Sequence, residues 1–408
     1  EGKRINMKIA MMTNNYKPFV AGVPISIERL SEGLRRNGHE VVIFAPTYKE
    51  QMDEADVVRC RSLIKGIANG FSVPDSLDRK IEKKFREGNF DVIHVHHPFL
   101  IGWTALYLSR KYHVPLVFTY HTRYEQYLHY IKASFLQNVA PIYVNYYSNQ
   151  CDVVIAPTPS MQDYLEEIGT RGKIAVLPTG IGQESFETDE EETAALRSEL
   201  LGDKKYLFCC VARLAKEKNI DFLLRALARR KEKHAADFRF AIIGEGPYEK
   251  ELCKLAQALH IQEDIIFVGK VANEKVKNYC KAADLFLFAS LSETQGIVLL
   301  EAMAAGTPVL AVKASGVKDV VADGRNGYMT YLSEIEFSNK LEELLSRDRS
   351  HLEMGAVETA RRYEISEIAK WAAVYYNIAI QNHKQNSLEV LEQEEKRLGG
   401  ISYFNSRG

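Results

Sequence analysis

Short apolar runs alternate with polar loops and helix-forming stretches along most of the chain. In the first half, apolar runs occur at Lys8–Met12, Val41–Ala45 and Pro115–Thr119, and a helix is predicted after the first of them, over Ser26–Asn37. Strands that alternate with helices in this order are typical of βαβ units, whose strands form a parallel sheet. Ligands of such sheets bind beyond the carboxyl ends of the strands, so the loops after each run are the candidate sites.

The same order starts again in the second half of the chain. An acidic stretch from Glu187 to Glu199 interrupts the pattern, and we place a domain boundary between Pro178 and Glu192. The predicted fold class is α/β, with two doubly wound Rossmann-like domains, residues 1–185 and 186–370, facing across a cleft. The strands predicted for the second domain are Tyr206–Val211, Phe240–Ile243, Ile265–Val268, Phe286–Ala289 and Gly327–Met329.

Three loops of the second half carry side chains that suit a nucleotide diphosphate. They contain Arg213 and Lys218, then Gly244 and Gly246, then residues 293–296. Fixed positive charges can neutralise two phosphates, glycines allow the backbone to approach them, and the helix after the last loop begins with unpaired N–H groups. Taken separately, these features also fit ordinary βα turns, with the cations paired to neighbouring surface carboxylates.

Two carboxylates belong to the last of these loops and to its helix. Glu293 lies in the polar loop, and Glu301 lies inside the helix predicted from Gly296 to Ala305. The start of that helix has a partial positive charge and can receive an anion such as a phosphate. Both acids could also be ordinary solvated side chains of a turn. This alternative is less favoured, because cations and glycines recur at the ends of equivalent loops.

The first half offers a histidine and a glycine at predicted strand ends. His121 follows one strand, and Gly22 lies in the loop after the first strand. A loop with a single glycine is a weak phosphate signature and fits a plain turn equally well. His94 and His96 share one strand face, but a zinc site needs a further ligand, so packing or contact with an acceptor is preferred over metal binding.

A tyrosine-rich helix is predicted directly after His121. Apolar and aromatic residues from Tyr124 to Val139 recur at three- and four-residue spacing, with cations between them. Such a stripe is usually core, but its tyrosines also suit a face that meets a lipid acceptor or the bilayer interface. The candidate residues are Arg123, Tyr124, Tyr127, His129 and Tyr130. A basic stretch from Arg59 to Arg86 fits either a solvated helix face or attraction to anionic lipid headgroups.

Composition narrows the possible partners. The 408 residues include 53 Lys and Arg against 54 Asp and Glu, so no net charge attracts nucleic acid. Six cysteines are scattered without a metal-binding pair, which fits reduced thiols in the cytoplasm. The chain has no stretch of about 18 uncharged apolar residues, so any membrane contact is expected to be peripheral.

Several strings resemble one known family. VARLAKEKN, IIGEGP, FVGKV and SETQGIVLLEAMAAGTPVLA are similar to the donor half of the retaining glycosyltransferases of family 4, which have the GT-B fold. The resemblance extends from Lys8 to near Tyr376. The string TYHTRYEQYLHYI is similar to bacterial diacylglycerol glucosyltransferases, which make membrane glycolipids. In this fold the C-terminal helices, here residues 371–408, are expected to cross back to the first domain.

The resemblance implies a role for each matching residue. Arg213 and Lys218 would bind the donor pyrophosphate. Glu293 would hold hydroxyls of the sugar, and Glu301 would accept both ribose hydroxyls. His121 would lie under the sugar and would complete a catalytic set with Glu293, Arg213 and Lys218. Further donor contacts are expected at Gly22, Gly244, Gly246, Val271, Gln295, Gly296 and Ile297, although Ala21-Gly22 replaces the two glycines of the family in the first loop.

The implied activity is transfer of a hexose, with glucose preferred, from a UDP-sugar to a lipid acceptor, with diacylglycerol preferred. The family retains the anomeric configuration. No cofactor or metal is expected, because the chain has no DxD motif and fixed cations would stabilise the leaving diphosphate. The expected location is the inner face of the cell membrane, on an anionic surface. The alternatives are transfer to a soluble sugar or polyol phosphate, an isomerase of the same fold, and a non-catalytic partner that binds a sugar nucleotide in a complex.

Overall fold

The structure is a computed structural model that describes residues 6–19, 21–51, 54–67, 71–124, 139–234 and 237–397. These residues divide into two compact units. Unit 1 takes the residues up to Ala156, Gln162–Leu177 and the residues from Ala369 onward, and unit 2 takes Pro157–Met161 and Pro178–Ile368. The boundaries predicted from the sequence lie at residue 185 for the end of the first domain and at residue 371 for the start of the final segment.

Unit 1 is built on a parallel sheet. Its strands are β1 Lys8–Met12, β2 Glu40–Pro46, β3 Val57–Cys60, β6 Val92–Val95, β7 Leu116–Thr119, β8 Val153–Ala156 and β9 Ile174–Val176, while β4 Ser62–Ile67 and β5 Phe71–Pro74 form a separate antiparallel pair. The helices are α1 Gly22–Arg36, α2 Arg79–Gly88, α3 Ile101–Tyr112 and α4 Val139–Ser148, and α5 Pro159–Glu167 begins in unit 2 and continues in unit 1. The seven strands lie in the order β3-β2-β1-β6-β7-β8-β9, so the winding direction reverses between β1 and β6.

Unit 2 repeats this plan with six parallel strands. They are β10 Tyr206–Val211, β11 Phe238–Ile243, β12 Ile265–Gly269, β13 Leu285–Phe288, β14 Val309–Val312 and β15 Gly327–Thr330. The helices are α6 Glu190–Leu201, α7 Ile220–Lys233, α8 Glu249–Ala258, α9 Asn273–Ala282, α10 Ile297–Ala304, α11 Glu334–Leu345 and α12 Ser350–Arg361, and α13 Ile365–Arg397 continues into unit 1. The strand order β12-β11-β10-β13-β14-β15 reverses between β10 and β13.

The core of unit 2 explains why its strands are continuously apolar. In β10, Phe208 and Cys210 pack into the hydrophobic cluster on one side of the sheet, and Leu207 and Cys209 pack into the cluster on the other side. A parallel strand covered on both faces buries successive residues and shows no polar alternation. The predicted class of two doubly wound Rossmann-like domains is therefore confirmed.

Two local predictions are wrong. The basic stretch from Arg59 to Arg86 is not one helix face, because it contains β4, β5 and the end of β3 before α2 begins. Arg59 is buried in β3 and pairs with Glu54 at 3.2 Å. The first helix begins at Gly22 and not at Ser26, since a proline in the first turn lacks only an N–H that would have no helical partner.

No helix within the described ranges is long and apolar enough to cross a bilayer.

Candidate functional site

The topological switch point of unit 2 brings together two of the predicted loops. β10 and β13 are neighbours in the sheet, with Phe208 beside Leu285 and Cys209 beside Phe286. Their carboxyl ends lead into residues 212–219 and 289–296. Connections on either side of such a reversal diverge to opposite faces of the sheet and leave a crevice, which is where doubly wound sheets bind ligands.

A partly buried ion pair joins these loops. Lys218 Nζ lies 2.6 Å from Glu293 Oε1, although the residues are 75 positions apart, and the two side chains are 21% and 16% exposed. Burial by itself would raise the pKa of Glu293, but Lys218 and a hydrogen bond from Ser290 outweigh it and hold the pKa below its usual value. The carboxylate is therefore charged at neutral pH, and a cation and an anion are both held at the crevice.

Arg213 lies in the same loop as Lys218 and forms a second pair. Its Nη2 donates to Glu217 Oε1 at 2.5 Å, the surface pairing that the sequence analysis weighed as the alternative for this arginine. Asn219 fixes the end of the loop, because its Nδ2 donates to the carbonyl of Ala289 at 3.1 Å. Asn219 was not among the predicted site residues, although its φ of 53° lies in the left-handed region, where asparagine is enriched among non-glycine residues.

Gly244 and Gly246 hold the Arg213 loop from the side of β11. A Cβ at Gly244 would lie 2.0 Å from the carbonyl oxygen of Ala212, and one at Gly246 would lie 2.2 Å from that of Leu214. Gly244 N also donates to Gly269 O at 2.8 Å. These glycines therefore allow the loop after β11 to pack closely against the backbone of Ala212 and Leu214, the two neighbours of Arg213. Direct contact of the glycines with a phosphate stays a prediction.

The loop after β13 ends in the left-handed region at Gly296, with φ of 73°, and α10 begins at Ile297. A glycine at this cap has no side chain to accept from the first N–H groups of the helix, which leaves that end suited to an anion. Ile297 is half-buried, and Glu301 is half-buried one turn further along α10. The predicted anion site and the predicted ribose acceptor are thus on one short helix.

The side chain of Gln295 is bound within the protein. Its amide Oε1 accepts from Thr179 N at 2.6 Å and its Nε2 donates to Thr179 O at 2.9 Å, and the side chain is 3% exposed. Thr158 Oγ1 donates to the neighbouring carbonyl of Thr294 at 3.0 Å. Both polar atoms of the side-chain amide are therefore bound to the backbone of Thr179. The predicted contact of Gln295 with the donor would then come from its own backbone. Val271 is partly buried against the core cluster beyond β12.

In unit 1, His121 follows β7 and contacts a second histidine. His121 Nε2 and His96 Nδ1 share a hydrogen bond at 2.9 Å, and the rings stack with 5.2 Å between centroids. Burial lowers the pKa of His121 to about 4, so the ring is neutral at physiological pH. His94 also lies in this row, where its Nδ1 bonds Tyr376 Oη at 2.8 Å and its Nε2 bonds Thr119 Oγ1 at 2.6 Å.

The other predicted residues of unit 1 are only partly described. Gly22 is the first residue of α1, and among the described residues, apart from its chain neighbours and its own helix backbone, no atom lies within 4 Å of where its Cβ would be. The Arg123 guanidinium lies over the ring of Tyr164 at 4.4 Å, and Tyr124 packs edge-on against Phe99 at 5.1 Å. Tyr127, His129 and Tyr130 lie outside the described residues. Across the described ranges, no group of three or more His, Cys, Asp and Glu side chains could hold a metal ion.

Solved structures share this architecture. The structure of Anabaena HepE in complex with UDP matches with a TM-score of 0.74 and 19% identity, covering 91% of this chain and 100% of that one. Sucrose-phosphate synthase from Thermosynechococcus elongatus matches with a TM-score of 0.75 and 20% identity, covering 91% and 98%. The two units therefore have the GT-B fold.

Family models and relatives narrow this class. A model of Glycosyltransferase Family 4 matches residues 20–184, and a model of group 1 glycosyl transferases matches residues 191–362. Alpha-monoglucosyldiacylglycerol synthase of Streptococcus pneumoniae is 33% identical over 80% of this chain and 75% of its own length. The enzyme of the same name from Acholeplasma laidlawii is 33% identical over 83% and 86%. The chain belongs to glycosyltransferase family 4.

Proposed function

We propose that this chain is a retaining hexosyltransferase that moves glucose from UDP-glucose to diacylglycerol at the cytoplasmic face of the membrane. The observation that carries the proposal is the Lys218–Glu293 pair at the switch point of unit 2. The relatives named alpha-monoglucosyldiacylglycerol synthase support the sugar and the acceptor. The HepE structures with UDP and with UDP-glucose support the donor, through the shared fold.

Donor binding exchanges the partners of the two cations. Lys218 turns from Glu293 to the diphosphate, and Arg213 turns from Glu217 to the same group. Each charge-assisted hydrogen bond to the phosphates contributes roughly 1.5–3 kcal/mol. The Glu293 carboxylate, released from Lys218, accepts hydrogen bonds from sugar hydroxyls. The uncapped start of α10 faces the phosphates, and Glu301 accepts the ribose hydroxyls.

The same groups act on the reaction. Breaking the anomeric C–O bond places negative charge on the leaving diphosphate, and Lys218 and Arg213 stabilise that charge as it develops. The acceptor hydroxyl attacks from the face that the diphosphate leaves, which retains the configuration, and a phosphate oxygen takes the hydroxyl proton. His121 acts as a neutral hydrogen-bonding group toward the sugar, because its pKa of about 4 keeps it uncharged at neutral pH.

Metal independence is part of the proposal. Two fixed cations supply the positive charge that a divalent ion supplies to the diphosphate in other transferases. Transfer should therefore continue in excess EDTA at an unchanged rate. A loss of activity in EDTA that added magnesium or manganese restores would contradict this part alone.

The acceptor is assigned to residues after His121, with membrane contact on the same unit. Arg123 and Tyr124 begin the tyrosine-rich segment, and α2 presents five cations against two acids. Each cation near an anionic leaflet contributes about 1 kcal/mol to attraction. Vesicles rich in anionic lipid should therefore bind the protein and raise its rate, and vesicles of neutral lipid should do neither.

The test is a transfer assay with acceptors of two classes. Radiolabelled UDP-glucose is incubated with diacylglycerol in mixed micelles, and in parallel with soluble sugars and polyol phosphates. Label in a lipid extract that requires diacylglycerol supports the proposal. Label in a soluble product favours the same fold acting on a soluble acceptor, and no donor turnover by the isolated chain favours a non-catalytic sugar-nucleotide-binding partner.

A further inference from the structure

A groove with a volume of about 590 Å³ opens between α3 and α4 of unit 1. Its lining includes five aromatic side chains and the two cations at the end of α3. We call it the α3–α4 groove. The lining residues that matter for its function are Trp103, Tyr107, Arg110, Tyr143, Tyr146 and Tyr147. None of these residues belongs to the donor or acceptor sets proposed above.

The floor of the groove is fixed by hydrogen bonds. Tyr147 Oη donates to the carbonyl of Gly102 at 2.7 Å, and Tyr143 Oη donates to the carbonyl of Pro98 at 2.7 Å. Trp103 Nε1 donates in turn to the Tyr143 hydroxyl. The two helices are therefore tied together below the groove, and the cavity belongs to the folded unit.

The rim of the groove is aromatic and open to solvent. Trp103 is 60% exposed, Tyr107 50% and Tyr146 55%. Large aromatic side chains are costly to leave in water, and three at one rim mark an interaction surface more than an ordinary surface does. Rings that carry a polar N–H or O–H are also those that concentrate at the boundary between lipid and water.

The charge around the rim is positive. Arg110 Nη2 donates to the amide oxygen of Gln150, a neutral partner, at 2.5 Å. The ammonium of Lys111 bonds Glu82 of α2, which ties α2 to the same surface. Together α2, α3 and α4 contain seven Lys and Arg and two acids, so the surface favours an anionic partner.

We propose that the α3–α4 groove binds the headgroup of an anionic phospholipid, with the phosphate on Arg110 and the glycerol region over Trp103 and Tyr146. A guanidinium recognises phosphate through two parallel N–H bonds, and the aromatic rim suits the depth just below it. A second copy of the chain fits less well, because a two-fold contact would set the same cations against each other. The inference rests on the proposed membrane association and adds a discrete lipid site to it.

The test uses the intrinsic fluorescence of Trp103. The chain has two tryptophans, so Trp371→Phe leaves Trp103 as the only reporter. Vesicles containing phosphatidylglycerol should shift its emission to the blue, and bromine on the upper acyl chain should quench it. Vesicles of phosphatidylcholine alone, and inorganic phosphate alone, should do neither. A response to free phosphate equal to that with vesicles would replace the lipid site with a site for soluble phosphate.

Charge variants in the same background decide whether the groove is responsible. Arg110→Glu should weaken the vesicle affinity at least about tenfold, since it reverses one charge at the rim. Arg36→Glu makes the same charge change at an exposed residue of α1 and should weaken the vesicle affinity far less. Two results would refute the lipid site in the groove but not the membrane association: sedimentation with vesicles without quenching of Trp103, or an equal loss of vesicle affinity in the two charge variants. Failure to sediment with any vesicle would overturn both.

Discussion

The ion pair between Lys218 and Glu293 should stabilise unit 2 by an amount that its burial sets. Glu293→Gln removes the carboxylate charge and keeps the side-chain shape, and Lys218→Met removes the ammonium and keeps the apolar stem. Losing one partner of a fully buried pair costs about 3–5 kcal/mol, and losing one of an exposed pair costs about 0.2–1 kcal/mol. With the side chains 21% and 16% exposed, each single change should cost about 1–3 kcal/mol.

A double-mutant cycle measures the interaction itself. Urea unfolding of the wild type, both single variants and the double variant should give a coupling of about 1–2 kcal/mol. The matched control is the cycle of Arg213→Met and Glu217→Gln in the same loop, where Arg213 is 42% exposed and the coupling should stay below about 1 kcal/mol. Equal coupling in the two cycles would refute the argument from burial.

Acid and donor should each remove this coupling. The pKa of Glu293 is lowered in the folded chain, so the contribution of the pair is present at neutral pH and disappears as the pH falls through that lowered value. With saturating UDP the coupling should shrink, because Lys218 then contacts phosphate. A coupling that UDP leaves unchanged would contradict the proposed exchange of partners.

Three further results are expected from the described contacts. Gly244→Ala should lower the free energy of unfolding by about 1–3 kcal/mol, because its Cβ would meet the Ala212 carbonyl oxygen at 2.0 Å. An unchanged melting temperature would contradict that contact. Gly22→Ala should leave the melting temperature unchanged, since its Cβ would meet no other part of the described chain within 4 Å, and should lower kcat/KM if the donor approaches there as proposed. An unchanged kcat/KM would remove Gly22 from the site. Acid should destabilise unit 1, because burial lowers the pKa of His121 to about 4 and so keeps the ring neutral in the folded state. As the pH falls from the ordinary histidine pKa toward 4, the unfolded state takes up a proton and the free energy of unfolding decreases by about 1.4 kcal/mol per pH unit for each buried neutral histidine. A urea midpoint that stays constant over this pH range would contradict the buried neutral state.

Much of the fold follows from local patterns that the sequence displays directly. β1 has the bounds predicted for it, because an apolar run between polar residues leaves little choice of ends. Lys218 and Glu293 are distant in the chain, yet both follow apolar runs. The rule that parallel strands end at one edge is enough to predict that their loops lie at the same edge, but not that the two side chains form an ion pair.

The rest depends on contacts that no local pattern reports. The sequence around Gly244 is typical of a phosphate-binding loop, but in the structure Gly244 packs against the carbonyl of Ala212. Only the packing of the two loops reveals this contact. The hydrogen bond between His96 and His121 joins residues that follow two adjacent strands, and it depends on the register of β6 and β7. The α3–α4 groove arises because Tyr143 and Trp103 come from different helices.

The most direct test of the central claim is glucose transfer by site variants. Wild type, Glu293→Ala and Lys218→Ala are compared with radiolabelled UDP-glucose and diacylglycerol in mixed micelles, after circular dichroism confirms that each is folded. The account predicts labelled glucosyldiacylglycerol from the wild type and a loss of roughly 100-fold or more in both variants. A folded variant that keeps more than about a tenth of the wild-type rate would contradict it, because removing a group that stabilises the transition state costs far more.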